Sequence, residues 1–238
     1  MTRPWPILTG ARFRKNDPLW RQWEQTGRGM YRSNGAALAF TRRSSGQGRE
    51  GDPDLFFMAL LTQFRGYYPG YSGDIRESRD HLSWVILKAH TTNRAGTVAL
   101  RSADPRDPPV INFNYFQQGE KDLRAVVEGI QFVRKLTSRL RDAGWIGDEE
   151  LPGSHVGDDA LADYVRDTAW GHHASCSAAI GQPEENGVLS SELVVHGTKA
   201  LRVVDASVFP RIPGFFIASP IVMLAEKAAD MILEAAKS

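Results

Sequence analysis

The sequence predicts a fold of the α+β class. Three observations carry this. Short apolar runs bounded by turn residues recur between residues 36 and 111, the pattern of strands joined by tight connections. A long stretch from Glu120 to about Ala143 carries Leu123, Val126, Val127, Ile130, Val133, Leu136 and Leu140 at helical spacing. The chain then returns to short apolar runs and closes on a second amphipathic segment, Pro220 to Ala235.

In order, residues 1–17 show no periodicity and read as an irregular lead-in. Asp17-Pro18 predicts a helix start, with an acidic cap followed by a proline whose missing N–H costs nothing there. Leu19, Trp20 and Trp23 give that helix one apolar face, and Gly27 or Gly29 ends it. Ala36 to Phe40 is a short strand, followed by a hydrophilic loop from Arg42 to Asp52. The loop holds a literal G-x-G-x-x-G, Gly46 to Gly51. That spacing cradles a pyrophosphate only between a strand and a helix of a βαβ unit, and Pro53 follows at once, so it reads as a mobile surface loop. Asp54 to Phe64 is apolar and fits strand or helix. Tyr67 to Gly73 reads as turn material. Leu82 to His90 and Thr97 to Arg101 read as strands, and the proline-locked turn after Ser102 leads to a short extended segment at Val110-Ile111. Gly144 stops the long helix, Asp158 to Thr168 is a shorter one, and Leu193 to Val195 and Leu201 to Val204 read as strands around His196-Gly197.

Composition narrows the function. A hydrophobic content of 42% with 24% charged residues is that of an ordinary globular protein, and a formal net charge of +1 gives no global reason to bind nucleic acid or an anionic membrane. The charge is uneven, because residues 1–50 carry ten Lys/Arg against three Asp/Glu. That is either a solvated surface or a face for something acidic. The one cysteine, Cys176, rules out a disulfide framework within the chain and points to a reducing, cytoplasmic setting. No apolar run is long enough for a membrane span.

The chemistry-bearing stretch is Gly171-His172-His173-Ala174-Ser175-Cys176-Ser177-Ala178-Ala179-Ile180-Gly181. Small residues after the histidines leave room for a flat ligand above the backbone. Side chains alternate along an extended chain, so at most one of the two histidines is the chemical residue. His172, His173 and Cys176, with His155 or His196 recruited, are too irregularly spaced for a recognisable metal site, and none is assigned. A cysteine nucleophile at Cys176 beside His173 is an alternative without a flavin.

Three spaced segments resemble the C-terminal part of the glucose-methanol-choline (GMC) family of flavin oxidoreductases. They are the His173 segment, Leu201 to Pro210 with its Asp205-Ala206-Ser207 turn, and Pro213-Gly214-Phe215-Phe216-Ile217-Ala218-Ser219-Pro220 running into the last helix. Gly96 to Pro105, Pro109-Val110-Ile111 and Asn114-Tyr115 are similar to the family's substrate domain. The resemblance implies a mainly antiparallel sheet backed by helices, with 18–156 as substrate-binding domain and 157–238 completing a flavin domain. It implies FAD as cofactor and a small alcohol, a CH–OH donor, as substrate. It places the catalytic histidine at His173, with Ala174 where the family has proline and His172 as the alternative. It places backbone contacts to the flavin at Asp205, Ala206, Ile217 and Ala218. The family's second polar residue, His or Asn, falls on Phe216, which has no hydrogen-bonding group. The family's N-terminal Rossmann half has no counterpart in these residues, so the resemblance implies a partner half in cis or in trans, or a homo-oligomer. A non-catalytic binding module on the same fold is the competing reading.

Overall fold

The computed structural model describes residues 4–48 and 50–237. The first three residues of the lead-in and Arg49 of the glycine-rich loop lie outside the described residues. The chain divides into two compact units, residues 1–87 with 125–165, and residues 88–124 with 166–238.

The first unit is a sheet backed by a helix. Helix α1, Pro18–Thr26, starts as its cap predicts: an Asp17 carboxylate oxygen accepts from the Trp20 amide at 2.8 Å, and Gly27 ends the helix with φ 63°. Strands β1, Ala36–Arg42, and β2, Leu55–Leu60, pair antiparallel with Phe40 opposite Phe57, and β3, Ser83–Lys88, lies beyond β2. The ambiguous run at Asp54 is therefore a strand. Leu55, Phe57 and Ala59 point inward, while Phe56, Met58 and Leu60 are only partly covered. Apolar residues on both faces hid the period of two. Because β1 and β2 form a hairpin, the glycine-rich loop joins two antiparallel strands, and Ser45 is fixed to Glu128 by its amide at 2.9 Å.

Helix α3, Glu120–Asp142, covers this sheet from Ala125 onward. Phe40, Trp84, Ile86, Phe132 and Val133 close around buried Leu55, Phe57 and Ala125, and Phe40 stacks on Phe57 with ring centroids 4.8 Å apart. Gly129 makes the approach possible, since a Cβ there would lie 3.0 Å from Ile86 Cγ2. Helix α4 begins at Leu161, three residues later than its sequence start suggests, and runs to Thr168. Tyr71–Glu77, read as a turn, is instead helix α2. Gly70 precedes it with φ 96°, so Pro69-Gly70 punctuates the start of a helix rather than a whole turn.

Asp17 ties the lead-in to this unit. It is buried, accepts from the amides of Arg12 and Trp20 at 2.8 Å each, and accepts a further hydrogen bond from the Tyr31 hydroxyl. Burial works against its charge, but the hydrogen bonds from Tyr31 and from the Trp20, Arg12 and Arg14 amides win and hold the carboxyl down to about 2. Burial and the Asp17 carboxylate push the Tyr31 phenol up to about 12. The folded value of Asp17 lies below its ordinary 3.8, so its stabilisation is present above about pH 4 and is lost as pH falls through about 2. Asp17→Asn is therefore expected to lower unfolding free energy by about 2 kcal/mol at neutral pH and by much less near pH 2. Urea unfolding of both proteins at the two pH values checks this. A gap that does not shrink in acid would show that the lost cap, not the charge, carries the effect.

The second unit holds a two-stranded antiparallel ribbon, β4 (Thr97–Ala99) and β5 (Val110–Asn112), and the last helix, α5, Ala218–Ala235. Lys88 and buried Asp122 meet at 3.4 Å, and the same carboxylate accepts from the amides of Thr92 and Asn93 at 2.7 and 3.1 Å, fixing the turn that follows His90. The segments 193–195 and 201–204 are not strands. Only isolated bridges form, between Leu189 and Val195 and between Val194 and Arg202. The reason is local: Leu193 sits at φ 64° and Gly197 at φ 79°, conformations that break an extended run. The apolar side chains of this stretch still do their work. Leu189, Leu193, Val208 and Ala228 of α5 form the core of the unit, surrounded by Ile180, Val188, Val203, Leu224 and others.

Candidate active site

The residues singled out by sequence converge on one surface of the second unit. The histidine segment is held by a short ladder: the amides of Cys176, Ala178 and Ile180 donate to the carbonyls of Ala206, Ser207 and Val208 at 3.1, 2.9 and 2.9 Å. The alternate amides bond, and the segment turns at Cys176, which takes φ 71°, as it passes along the Asp205 turn. The turn is rigid in its own right, because an Asp205 side-chain oxygen accepts from the Ser207 amide at 2.8 Å and caps one turn of 3-10 helix, Ala206–Val208. The far end of the histidine segment is locked by two glycines. A Cβ on Gly187 would fall 2.1 Å from the Gly181 carbonyl carbon, so no side chain fits at that crossing. His196 adds a ring contact of 2.9 Å to the Gly181 carbonyl.

His173 is half-buried and His172 is exposed. Their rings meet at 4.4 Å between centroids, and the outer face of His172 stacks on Trp170 at 5.3 Å. Burial, then the neighbouring His172, lower the pKa of His173, while a hydrogen bond to the Phe215 carbonyl acts in the opposite direction. That bond has a chemical consequence. One ring nitrogen is committed as donor to a carbonyl, so in the neutral ring the other nitrogen carries the lone pair and is free to accept a proton.

Phe216 stands beside His173, with centroids 6.1 Å apart in an edge-to-face arrangement, and is 53% exposed. Ile217 and Ala218 follow it into α5. The amides of Ala218 and Ser219, at the open N-terminus of that helix, donate to no acceptor among the described residues. The same holds for the amides of Asp205 and Ala206. Four unsatisfied donors on the segments that flank the histidine suit an electronegative planar edge, and the small residues Ala174 and Ser177 leave the surface between them uncluttered.

Sequence reasoning missed three contributors. Phe215 acts through its backbone carbonyl, which no side-chain pattern reveals. Trp170 shields His172. Tyr115 brings its hydroxyl against Gly171, where a Cβ would sit only 3.0 Å from it, and burial raises its pKa. The Trp170-Gly171 pair was the available signal, as a large ring followed by a residue with no side chain. His90 sits near this group, 6.4 Å from the Phe215 ring between centroids, with φ 52°. Cys176 makes its side-chain contact with the Ser175 hydroxyl at 3.4 Å rather than with His173, so the geometry does not assemble a thiol–histidine pair. Among the described residues no three His, Cys, Asp or Glu side chains converge as metal ligands.

A family model described as GMC oxidoreductase matches residues 92–225, more than half of the chain. The chain belongs to the GMC oxidoreductase family. The oxygen-dependent choline dehydrogenase of Staphylococcus aureus strain JH9 is 39% identical over 184 residues, which is 76% of this chain and 31% of that protein. Among solved structures, a formate oxidase superposes with a TM-score of 0.75 at 25% identity, over 97% of this chain and 44% of the other. A fungal aryl-alcohol oxidase is 32% identical with a TM-score of 0.50, over 60% of this chain and 24% of its own. This GMC chain thus spans about a third of the length of the curated relatives it matches. Its α+β architecture, with antiparallel sheets and packed helices, is that of the family's C-terminal part.

Proposed function

We propose that these residues form the substrate side and the flavin-facing histidine of an FAD-dependent oxidoreductase acting on the CH–OH group of a small alcohol. The observation that supports it most is the pairing of a depressed, carbonyl-oriented His173 with unsatisfied backbone donors at 205–206 and 218–219. FAD, when bound, supplies the hydride acceptor. The chain's own residues have the remaining tasks. His173 takes the hydroxyl proton of the alcohol on the ring nitrogen that does not face Phe215. Its lowered pKa keeps it neutral, and so basic, at neutral pH. The amides of Asp205, Ala206 and Ala218 hold the flavin edge. Phe216 supplies an apolar wall where the family resemblance implies a polar side chain, which leaves His173 as the principal proton-handling group. Residues 18–156 then act as substrate-binding region and 157–238 as completion of the flavin domain, with a Rossmann half joined in cis or in trans. No helix among the described residues is long and apolar enough to cross a membrane.

The test is direct. The 238 residues joined to a dinucleotide-binding half, fused or co-expressed, are expected to give a yellow protein whose flavin is bleached anaerobically by an alcohol. Choline and an aromatic primary alcohol are the first substrates to try, on the pattern of the relatives. Bound flavin that no alcohol bleaches would sink the assignment and favour the binding module.

A further inference from the structure

A hollow in the first unit uses none of the side chains placed around His173. In the first unit, Ala11, Arg12, Arg14, Arg76 and Arg79 line a cavity of about 250 Å³. Four arginines around one hollow is an unfavourable arrangement unless something negative answers it, because guanidinium stays charged at any physiological pH. Among the described residues, none of the four is ion-paired with a carboxylate. Three of the nearby acids in sequence are committed elsewhere. Asp17 is bonded to the Arg12 and Trp20 amides and to Tyr31, Asp74 accepts from the Tyr68 hydroxyl, and Asp80 holds His81 at 2.7 Å.

The walls are also fixed. Arg79 donates from its guanidinium to the Ala11 carbonyl, and its own carbonyl accepts from the Trp5 amide at 3.0 Å. The Trp5 indole adds a bond of 2.7 Å to the His81 carbonyl. Arg12 is anchored through its amide to buried Asp17, and the amide of Phe13 donates to Tyr31 at 2.9 Å. The lead-in loop carrying Arg12 and Arg14 is therefore bolted to the segment after α2 that carries Arg79. An anion entering here meets a backbone scaffold already in place, which lowers the ordering cost of binding.

We propose that this cavity is a site for a small phosphate-bearing metabolite, held by its phosphate oxygens. Arginine matches those oxygens with pairs of parallel N–H donors, and a concave cluster of one sign focuses the field on the entering anion. The volume lies just under the roughly 300 Å³ at which drug-sized pockets begin. It suits a pyrophosphate or a phosphate-ester head rather than a dinucleotide. The excess of basic residues in 1–50 thereby acquires a role that alcohol oxidation does not require of it.

Calorimetric titration of the full chain with pyrophosphate, inorganic phosphate and citrate at matched ionic strength tests this. Pyrophosphate is expected to bind saturably at one site, more tightly than phosphate or citrate, and more weakly as salt rises. Arg14→Gln with Arg76→Gln, two exposed positions, is expected to weaken it by about tenfold or more. The control, Arg139→Gln with Arg141→Gln at the end of α3, removes the same charge and is expected to leave it unchanged. Absence of saturable binding, an equal loss in both double variants, or citrate binding as tightly as pyrophosphate would each overturn the proposal.

Discussion

His173→Ala is expected to lower turnover by about 10²–10⁴-fold, the range for loss of a positioned general acid–base. The assay is alcohol oxidation by a competent assembly containing these residues and a flavin-binding half. His172→Ala is expected to cost far less, because His172 is exposed and stacked on Trp170. The pH dependence separates a chemical role from a structural one. A base must be neutral to accept a proton, and His173 titrates below the ordinary histidine range. The wild-type rate should therefore rise with pH through a midpoint on the acid side of that range and level off near neutrality. In His173→Ala that limb should disappear, with flavin content retained. A crippled His172→Ala beside a normal His173→Ala would shift the assignment by one residue. A pH limb that survives in His173→Ala would show that some other group takes the proton.

What the sequence made legible followed from local chemistry. The Asp17-Pro18 start, the α3 stripe and the Gly144 stop are each set by one or two residues and their immediate neighbours, and they stand where the pattern put them. The strand at Leu55 was ambiguous because both of its faces are apolar. The segments at 193–204 were misread because their apolar content is real while their backbone is bent. Leu193 takes a left-handed conformation to deliver its side chain to a core it shares with Val208 and α5. No single-sequence signal marks such a leucine. The same limit applies to the site. Its side chains His172, His173 and Phe216 and the backbone positions Asp205, Ala206 and Ala218 were nameable from motif spacing, whereas the Phe215 carbonyl beside His173 and the unsatisfied state of those amides emerge only once the chain has folded.

Residues 1–238 expressed alone are expected neither to retain FAD nor to oxidise an alcohol, and to associate with themselves. Dinucleotide affinity comes largely from a glycine-rich turn that aims a helix N-terminus at the pyrophosphate. The one stretch with that spacing here, Gly46 to Gly51, lies in the loop of an antiparallel hairpin and opens no helix. In the proposed assembly the amides at 205–206 and 218–219 would reach only the flavin end, and the arginine-lined cavity is too small for a dinucleotide. The association follows from α5. Val222, Met223, Ile232 and Leu233 on that helix are 45–71% exposed, with Phe216 just before it. Apolar area of that kind, once it is contiguous over a few hundred Å², drives proteins together. Gel filtration and the absorbance spectrum of the purified chain are sufficient readouts, expected to show a colourless protein running larger than a monomer. Val222→Glu with Met223→Glu should shift it toward monomer, and the same pair should reduce capture of a co-expressed flavin-binding half if that half covers the same face. A yellow, active, monomeric chain would contradict all of this and would require a flavin site that the geometry does not supply.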